Sequence, residues 1–125
     1  MTNEEFIKSI SLEGEEWRDV VGYEGLYKIS NFGRLVSCTK VLKSRYNALR
    51  VAPPRLCKPS TVGRYQHCSL SKNSKAKSCS VHRLVAAAFI PNPDNKPCID
   101  HINTMTQDNR VENLRWVSHL ENSNN

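Results

Sequence analysis

Hydrophobic and polar residues recur with distinct periods along the chain, and the clearest period is helical. Apolar residues at positions 81, 84, 85, 88 and 89 share one face of a helix, and Pro91 ends the run. The pattern predicts a core helix over residues 81–89. His82 falls off the main apolar stripe, and we expect it to be a hydrogen-bonded packing residue rather than a ligand.

Two segments show the period of two that is typical of strands. In the first, Tyr27 and Ile29 alternate with Leu26, Lys28 and Ser30, and the turn over residues 31–33 leads into residues 34–38. In the second, residues 65–70 and 77–81 flank a polar turn over residues 71–75. Each segment is predicted to form a β-hairpin.

The C-terminal part combines strand and helix signals around a cluster of polar side chains. Residues 98–102 and 114–117 are predicted strands, and residues 103–112 form a polar loop between them. Ser118, with Glu121 three positions later, makes a capping box, so a helix should begin at about residue 119.

The remaining segments are less regular. Residues 1–16 are acidic and predict a short amphipathic helix in an N-terminal arm, with Phe6, Ile7 and Ile10 on one side. Residues 39–64 are basic and contain prolines that interrupt long elements. We expect a long loop or ragged strands there.

Charge is distributed unevenly, and this changes the picture. The net charge is +6, yet residues 1–24 hold seven acidic and two basic residues, whereas residues 25–93 hold thirteen Lys and Arg and no Asp or Glu. A basic surface of that extent suits a polyanion, because phosphate neutralisation releases counterions. The pattern predicts nucleic acid as the partner, and a merely solvated basic face is the alternative.

The sequence also limits the compartment. No run approaches the roughly 18 apolar residues of a membrane span, and the acidic N-terminus lacks the layout of a signal peptide. The five cysteines, at positions 38, 57, 68, 79 and 98, form no close pair. We interpret them as reduced, buried or half-buried thiols of a cytoplasmic protein, with a scattered zinc site or a set of disulfides as the alternative.

The first hairpin carries a specific residue order. Trp17 is followed by Gly and Tyr residues, Ile29-Ser30, Gly33-Arg34 and Ser37. This order resembles the nuclease-associated modular domain that is fused to phage and intron endonucleases. We expect Trp17 and Tyr27 to be core residues rather than base-stacking residues.

Basic residues of the middle region are the predicted DNA contacts, because Lys and Arg supply many of the contacts to phosphates. They lie on the two hairpins, in the irregular segment and on the core helix. The set is Lys28, Arg34, Lys40, Lys43, Arg45, Arg64, Lys72, Lys75, Lys77 and Arg83. Such contacts position a protein without reading bases, so no recognition sequence follows from them.

The C-terminal order of strand, loop, strand and helix closely resembles the ββα-metal site of the HNH endonucleases. Asp100-His101 lies on the first strand, Asn113 lies just before the second, and Asn122 lies on the helix. The resemblance extends through residues 82–85 and 108–110. It implies that Asp100 and Asn122 are metal ligands, that His101 is the general base, and that Asn113 holds the loop in shape.

These residue types suit the implied chemistry independently. An imidazole can deprotonate water near neutral pH. Two protein oxygen ligands that leave other positions to phosphate and water suit Mg²⁺ or Mn²⁺ better than zinc, so we expect one such ion per site. The alternative is that Asp100-His101 and the asparagines are only loop-forming polar residues.

Several features depart from the family pattern or strain it. Asn122 stands in place of the last histidine of the family name, and Thr104-Met105 stand where relatives often have Gly-Asp, so strain is expected in the loop turn. The sequence ends three residues after Asn122, which leaves a helix of about two turns at most, and isolated helices that short are marginal. Adjacent strand residues point to opposite faces, so Asp100 and His101 share a site only if the strand ends or twists there.

The sequence therefore predicts an α+β fold in which basic antiparallel β-hairpins and a core helix precede a ββα-metal motif. We divide it into an acidic arm (1–16), a basic β-rich DNA-binding region (17–80) and a nuclease motif with its preceding helix (81–125). The expected function is metal-dependent cleavage of double-stranded DNA by a phage-encoded protein in a bacterial host, as a monomer or homodimer. Two alternatives stay open: a DNA-binding regulator whose nuclease site has decayed, and a structural zinc protein.

Overall fold

The computed structural model describes residues 2–43, 46 and 48–123, and confirms the predicted α+β class. Its helices are α1 (Asn3–Ile10), α2 (Val81–Phe89) and α3 (His119–Ser123). Its strands are β1 (Trp17–Asp19), β2 (Tyr27–Ser30), β3 (Leu35–Ser37), β4 (Lys40–Lys43), β5 (Leu49–Ala52), β6 (Arg55–Leu56), β7 (Ser60–Val62), β8 (Tyr65–Lys72), β9 (Lys75–Ser80), β10 (Cys98–His101) and β11 (Leu114–Val117). None of the helices described has the length and apolarity that a membrane crossing requires.

The first predicted hairpin forms the centre of an antiparallel sheet with the strand order β1-β2-β3-β6. Ile29 pairs with Leu35 across the hairpin, and both side chains are buried. The turn requires Gly33, whose φ is +84°. A Cβ at Gly33 would lie 2.9 Å from the Cβ of Asn109, so the turn packs directly against the C-terminal loop.

The second predicted hairpin is present, with longer strands and a tighter turn than expected. Residues 67–72 of β8 pair with the whole of β9, and β7 lies on the other side of β8. The turn is Asn73-Ser74, with φ values of 53° and 63°. Two consecutive positive φ values match the twist of a two-residue hairpin turn. The longer turn expected over residues 71–75 is wrong, because Ser71 and Lys72 continue the ladder.

The proline-containing segment 39–64 forms short strands. β4 and β5 pair with each other as a separate two-stranded ribbon, β6 joins the first sheet beside β3, and β7 joins the sheet of β8. Pro53 and Pro54 lie between β5 and β6, and Pro59 lies between β6 and β7. The prolines therefore occupy connections, where their missing N–H breaks no ladder.

α2 lies at the centre of the fold and has the predicted bounds, residues 81–89. Its Val85 is fully buried, and the same core cluster contains Ile29 of β2, Leu70 of β8 and Leu114 of β11. Burial of these side chains together is the main favourable contribution to folding. This shared core sets the position of the basic sheets relative to the C-terminal hairpin.

The predicted N-terminal helix is held to this body by polar contacts. Asn3 Oδ1 accepts hydrogen bonds from the backbone N and the hydroxyl of Thr39, at 2.7 and 2.9 Å. Trp17 Nε1 donates to Ser11 Oγ at 2.9 Å. The acidic arm is thus docked at both ends of α1.

Candidate active site

The C-terminal hairpin sets the positions of the predicted site residues. β10 and β11 are antiparallel, with Asp100 opposite Arg115 and His101 opposite Leu114. β10 ends at His101, so the alternation of strand faces stops there. Asp100, His101 and Asn122 therefore border one recess of about 290 Å³, which we call the site recess. Its lining also includes Arg64, Tyr65, Ile99, Thr104 and Thr106.

Asn113 spans the base of the loop that follows β10. Its Oδ1 accepts from the backbone N of Asn103 at 2.9 Å, and its Nδ2 donates to the carbonyl of Asp108 at 2.8 Å. Its own carbonyl accepts from the backbone N of Ile102 at 2.8 Å. Because Asn113 is only 5% exposed, these bonds replace water that it has lost. The carboxamide ties both arms of the loop together.

His101 is buried, and its orientation is set by a chain of two hydrogen bonds. Its Nε2 lies 2.9 Å from Asn109 Oδ1, and Asn109 Nδ2 donates to Gln66 Oε1 at 3.1 Å. In this arrangement the oxygen of the Asn109 carboxamide faces the histidine, and its nitrogen faces Gln66. Because a carboxamide oxygen only accepts, Nε2 carries the proton and Nδ1 keeps a free lone pair.

Two aromatic rings pack around this imidazole. The ring of Tyr65 is stacked at 5.9 Å from that of His101, and the ring of His82 meets it edge-on at 5.2 Å. His82 is only 8% exposed, so it belongs to the buried face of α2 rather than lying off it. Among the described residues, His82 Nδ1 is a buried side-chain nitrogen that has no hydrogen-bond partner. The hydrogen bond expected of His82 is therefore absent at this nitrogen. Burial, helped by the charge of His101, lowers the pKa of His82 to about 4.

Asp100 is engaged by a basic residue across the hairpin. Arg115 Nε donates to Asp100 Oδ2 at 2.9 Å, and Arg115 Nη2 lies 2.8 Å from the same oxygen in an ion pair. The side chain of Asp100 is 16% exposed, and that of Arg115 is 52% exposed. The carboxylate is therefore neutralised at the edge of the site recess.

α3 brings Asn122 to the site recess. The predicted capping box is present: Ser118 Oγ accepts from the backbone N of Glu121 at 3.1 Å, and Glu121 Oε1 accepts from the backbone N of Ser118 at 3.1 Å. Lys96 bonds Glu121 at 2.8 Å, and that bond, with those from Ser118, lowers the pKa of Glu121 to about 2. These contacts hold a very short helix in place, and Asn122 lies on its first turn.

The site recess offers the oxygen ligands that a hard divalent cation prefers. Asp100 contributes a carboxylate and Asn122 a carboxamide oxygen. Within residues 2–43, 46 and 48–123, no group of three or more His, Cys, Asp or Glu side chains could hold a metal. The five cysteines are free thiols. The donors therefore fit a cation that keeps water or phosphate in its other positions, and they do not fit a closed structural zinc site.

The loop turn after β10 is strained at the residue that departs from the family pattern. Thr104 has φ +64°, in the left-handed region that β-branched residues avoid. Its backbone N donates to the carbonyl of His101 at 2.9 Å, which closes the turn. The unusual φ is thus a direct consequence of turning the chain immediately after His101.

Comparison with known proteins connects this geometry to a family. Residues 15–68 match the family model of the NUMOD4 motif, and residues 79–124 match that of the HNH endonucleases. Residues 79–124 are thus similar to the HNH endonucleases, and residues 15–68 to the NUMOD4 motif. The resemblance stated from the sequence is confirmed for both parts of the chain. Members of this family generally depend on a divalent metal, which agrees with the donors of the site recess.

Individual relatives match most of this chain. The DNA endonuclease I-HmuI of Bacillus phage SP01 is 34% identical over 110 residues, 88% of this chain and 56% of that protein. The uncharacterized HNH endonuclease L247 of Acanthamoeba polyphaga mimivirus is 34% identical over 119 residues, 91% of this chain and 26% of that protein. A solved structure of DNA binding and cleavage by the HNH homing endonuclease I-HmuI has a TM-score of 0.67 and 31% identity, covering 87% of this chain and 56% of that one. The chain thus spans from about a quarter to about half the length of these relatives.

One predicted DNA contact of this chain, Arg34, makes bonds within the protein. Arg34 donates through Nε and Nη2 to the two carboxylate oxygens of Glu15, at 2.9 and 2.7 Å, and through Nη2 to the carbonyl of Ile10 at 2.7 Å. The side chain of Glu15 is completely buried. Burial alone would raise the pKa of Glu15, but hydrogen bonds from Arg34 and the Leu12 amide lower it overall. Arg34 therefore fastens the acidic arm, because its release would leave a buried charge unpaired.

The other predicted DNA contacts differ in their surroundings. Lys28 pairs with Asp19 at 3.3 Å, and Lys40 donates to Tyr27 Oη at 2.7 Å. Lys43 belongs to β4, and Arg45 lies outside the described residues. Those exposed to solvent are Arg64, Lys72, Lys75, Lys77 and Arg83. Arg64 also borders the site recess.

Sequence reasoning missed the residues that surround His101. Tyr65 and Gln66 lie on β8, and no local pattern connects them with a histidine on β10. Arg115 did have a signal, since pairing the two predicted strands with Leu114 opposite His101 places Arg115 opposite Asp100. To predict that register, the length of the loop between the two strands has to be known.

Proposed function

We propose that this chain hydrolyses phosphodiester bonds of double-stranded DNA, with His101 as the general base and one divalent ion, Mg²⁺ or Mn²⁺. The observation that carries the proposal is a single recess bordered by Asp100, Asn122 and a buried histidine whose Nε2 lies against Asn109 Oδ1. The similarity in fold to an enzyme whose DNA binding and cleavage are known adds support.

His101 acts on the attacking water. Its Nδ1 accepts a proton from the water, while the Nε2 proton stays bonded to Asn109 Oδ1. The resulting hydroxide forms a bond to phosphorus, and the bond from phosphorus to the leaving oxygen breaks. Tyr65 and His82 pack on the ring and keep it from rotating away from the water.

Asp100 and Asn122 would hold the ion at the site recess. When bound, such an ion supplies a Lewis acid that stabilises negative charge on the phosphate and the leaving oxygen. Asn113 keeps the loop closed so that the two ligands retain their spacing.

The exposed basic residues of the β8–β9 hairpin and of the start of α2 are the proposed DNA contacts. Lys75 and Lys77 lie on β9, and Arg64 borders the site recess. Arg83 lines an adjoining recess that shares Tyr65 and Asn122 with it. Phosphates that bind along these residues lead the duplex toward His101, and the neutralised charge makes affinity depend strongly on salt. With one site recess per chain, a monomer nicks one strand.

Plasmid nicking tests the proposal. We expect supercoiled DNA to be converted to open circles with Mg²⁺ or Mn²⁺ and not with EDTA. His101→Ala should remove nicking and leave DNA binding nearly unchanged, whereas His67→Ala should retain nicking because His67 lies outside the site recess. Nicking by His101→Ala at the full rate would exclude the mechanism. DNA binding without nicking by the natural sequence would instead identify a regulator with a decayed site.

A further inference from the structure

The ion pair between Asp100 and Arg115 occupies the place where the proposed cation must bind. Both donors of Arg115 reach the same oxygen, Asp100 Oδ2, at 2.8 and 2.9 Å. Asp100 has the only carboxylate among the residues that line the site recess. A divalent ion therefore cannot gain the full charge of this ligand while the guanidinium remains bonded to it.

Arg115 is exposed to solvent and can move its guanidinium away from Asp100. Its side chain is 52% exposed, whereas that of Asp100 is 16% exposed, so the guanidinium can swing into solvent while the carboxylate stays. Arg115 lies on β11 directly opposite Asp100, so a displaced head group remains within a side chain's length of the recess. Phosphate is the natural acceptor for it there, because the guanidinium fork matches phosphate oxygens.

We infer that Arg115 is a phosphate-binding residue that stays bonded to Asp100 until a divalent ion binds. Arg115 then moves to a phosphate of the DNA backbone. The inference rests on the proposed function. Binding of the ion places two positive charges beside Asp100, which weakens its attraction for the guanidinium. The nearest phosphate of bound DNA then receives Arg115.

Coupling between the ion and DNA follows from this exchange. Without DNA, the ion must break the ion pair and leave Arg115 without a partner. With DNA present, the guanidinium gains a phosphate, so the ion binds more tightly. Each ligand must then strengthen the binding of the other by the same factor.

The first test is a titration with Mn²⁺ in the absence of DNA. Calorimetry, or the electron paramagnetic resonance of free Mn²⁺, measures the binding. Arg115→Gln should bind Mn²⁺ about fivefold more tightly than the natural sequence, since a partly exposed ion pair no longer competes. Arg110→Gln is the matched control: its side chain is equally exposed, at 52%, but its guanidinium binds Asp108 and Glu112 rather than Asp100. It should change Mn²⁺ affinity less than twofold, by the screened loss of one charge. Asp100→Asn should bind little Mn²⁺.

Salt dependence of DNA binding is the second test, in proteins that also carry His101→Ala so that the duplex stays intact. With Mn²⁺, Arg115→Gln should reduce the slope of log affinity against log salt by about one, because one phosphate contact is lost. With EDTA, Arg115→Gln should have the same slope as the protein that keeps Arg115, because Arg115 is then bonded to Asp100 and contacts no phosphate. Arg110→Gln should leave the slope unchanged in both conditions.

The outcomes separate the inference from the function on which it rests. Asp100-dependent Mn²⁺ binding that is equal in Arg115→Gln and the natural sequence would overturn the inference and leave the proposed function standing. An equal loss of slope with and without Mn²⁺ would also overturn it, since Arg115 would then contact DNA at all times. Absence of Asp100-dependent Mn²⁺ binding, even with DNA, would overturn both.

Discussion

His101 Nε2 and Asn109 Oδ1 lie 2.9 Å apart inside the protein, and this contact joins the proposed base to the loop that follows it. Asn109 is 4% exposed, and it packs against Gly33 in the turn of the first hairpin. The matched NUMOD4 and HNH segments therefore meet at the residue that orients the imidazole. The first segment supports the geometry of the site as well as carrying basic residues.

Replacing Asn109 with Ala should lower kcat for nicking about 10- to 100-fold with little change in KM, because the imidazole loses the acceptor that keeps its proton on Nε2. Gln66→Ala removes only the outer hydrogen bond, at 3.1 Å, and should cost less than about tenfold. Steady-state nicking assays check both variants, with thermal unfolding to confirm that each is folded. Equal losses in the two would contradict the role given to Asn109.

His82 makes stability depend on pH. Burial, with a smaller contribution from the charge of His101, lowers the pKa of His82 from 6.5 to about 4. The unfolded chain therefore binds this proton first, so the stabilisation is complete above about pH 6.5 and is lost as the pH falls toward 4. The natural sequence should lose about 2 to 3 kcal/mol of its free energy of unfolding between neutral pH and pH 4.5, and His82→Phe should not show this loss. Urea denaturation measures it.

A control variant at an exposed histidine tests whether the pH dependence of stability comes from His82. His119 is exposed, so His119→Gln should keep the pH dependence of the natural sequence. If His82→Phe were as sensitive to acid as the natural sequence, another group would have to account for the loss.

Thr104→Gly should stabilise the protein by about 0.5 to 1 kcal/mol. Glycine adopts φ +64° without strain, and this gain exceeds the extra entropy of glycine in the unfolded chain. Asn95→Gly is the comparison, because asparagine tolerates its φ of +51° and should gain nothing. Thermal unfolding of the two variants distinguishes them. A lower midpoint for Thr104→Gly would show that the threonine side chain makes a compensating contact.

Arg34→Gln should destabilise the protein by about 3 kcal/mol, because it leaves the buried Glu15 carboxylate without its counter-ion. Lys28→Gln breaks a more exposed pair and should cost less than about 1 kcal/mol. Urea denaturation near neutral pH gives both values. The salt dependence of DNA binding should be the same in Arg34→Gln as in the natural sequence, and a shallower slope would return Arg34 to the DNA contacts.

Elements whose signals lie within a few neighbouring residues were predicted well. The helix over residues 81–89, the strand over 114–117 and the capping box at Ser118 follow from apolar spacing and from one pair of capping residues. The turn of the second hairpin was predicted too long, because the polar residues Ser71 and Lys72 can continue a ladder whose energy comes from backbone pairing.

The sequence by itself determined the fold class, the order of the C-terminal strand, loop, strand and helix, and the residue types of the candidate site. Only the tertiary structure decided what touches them: Asn109, Tyr65 and His82 around His101, Arg115 on Asp100, and Glu15 on Arg34. The physical reason is range. Periodicity and capping act between neighbours in the chain, whereas these contacts form because a shared hydrophobic core packs β2, β8, α2 and β11 together.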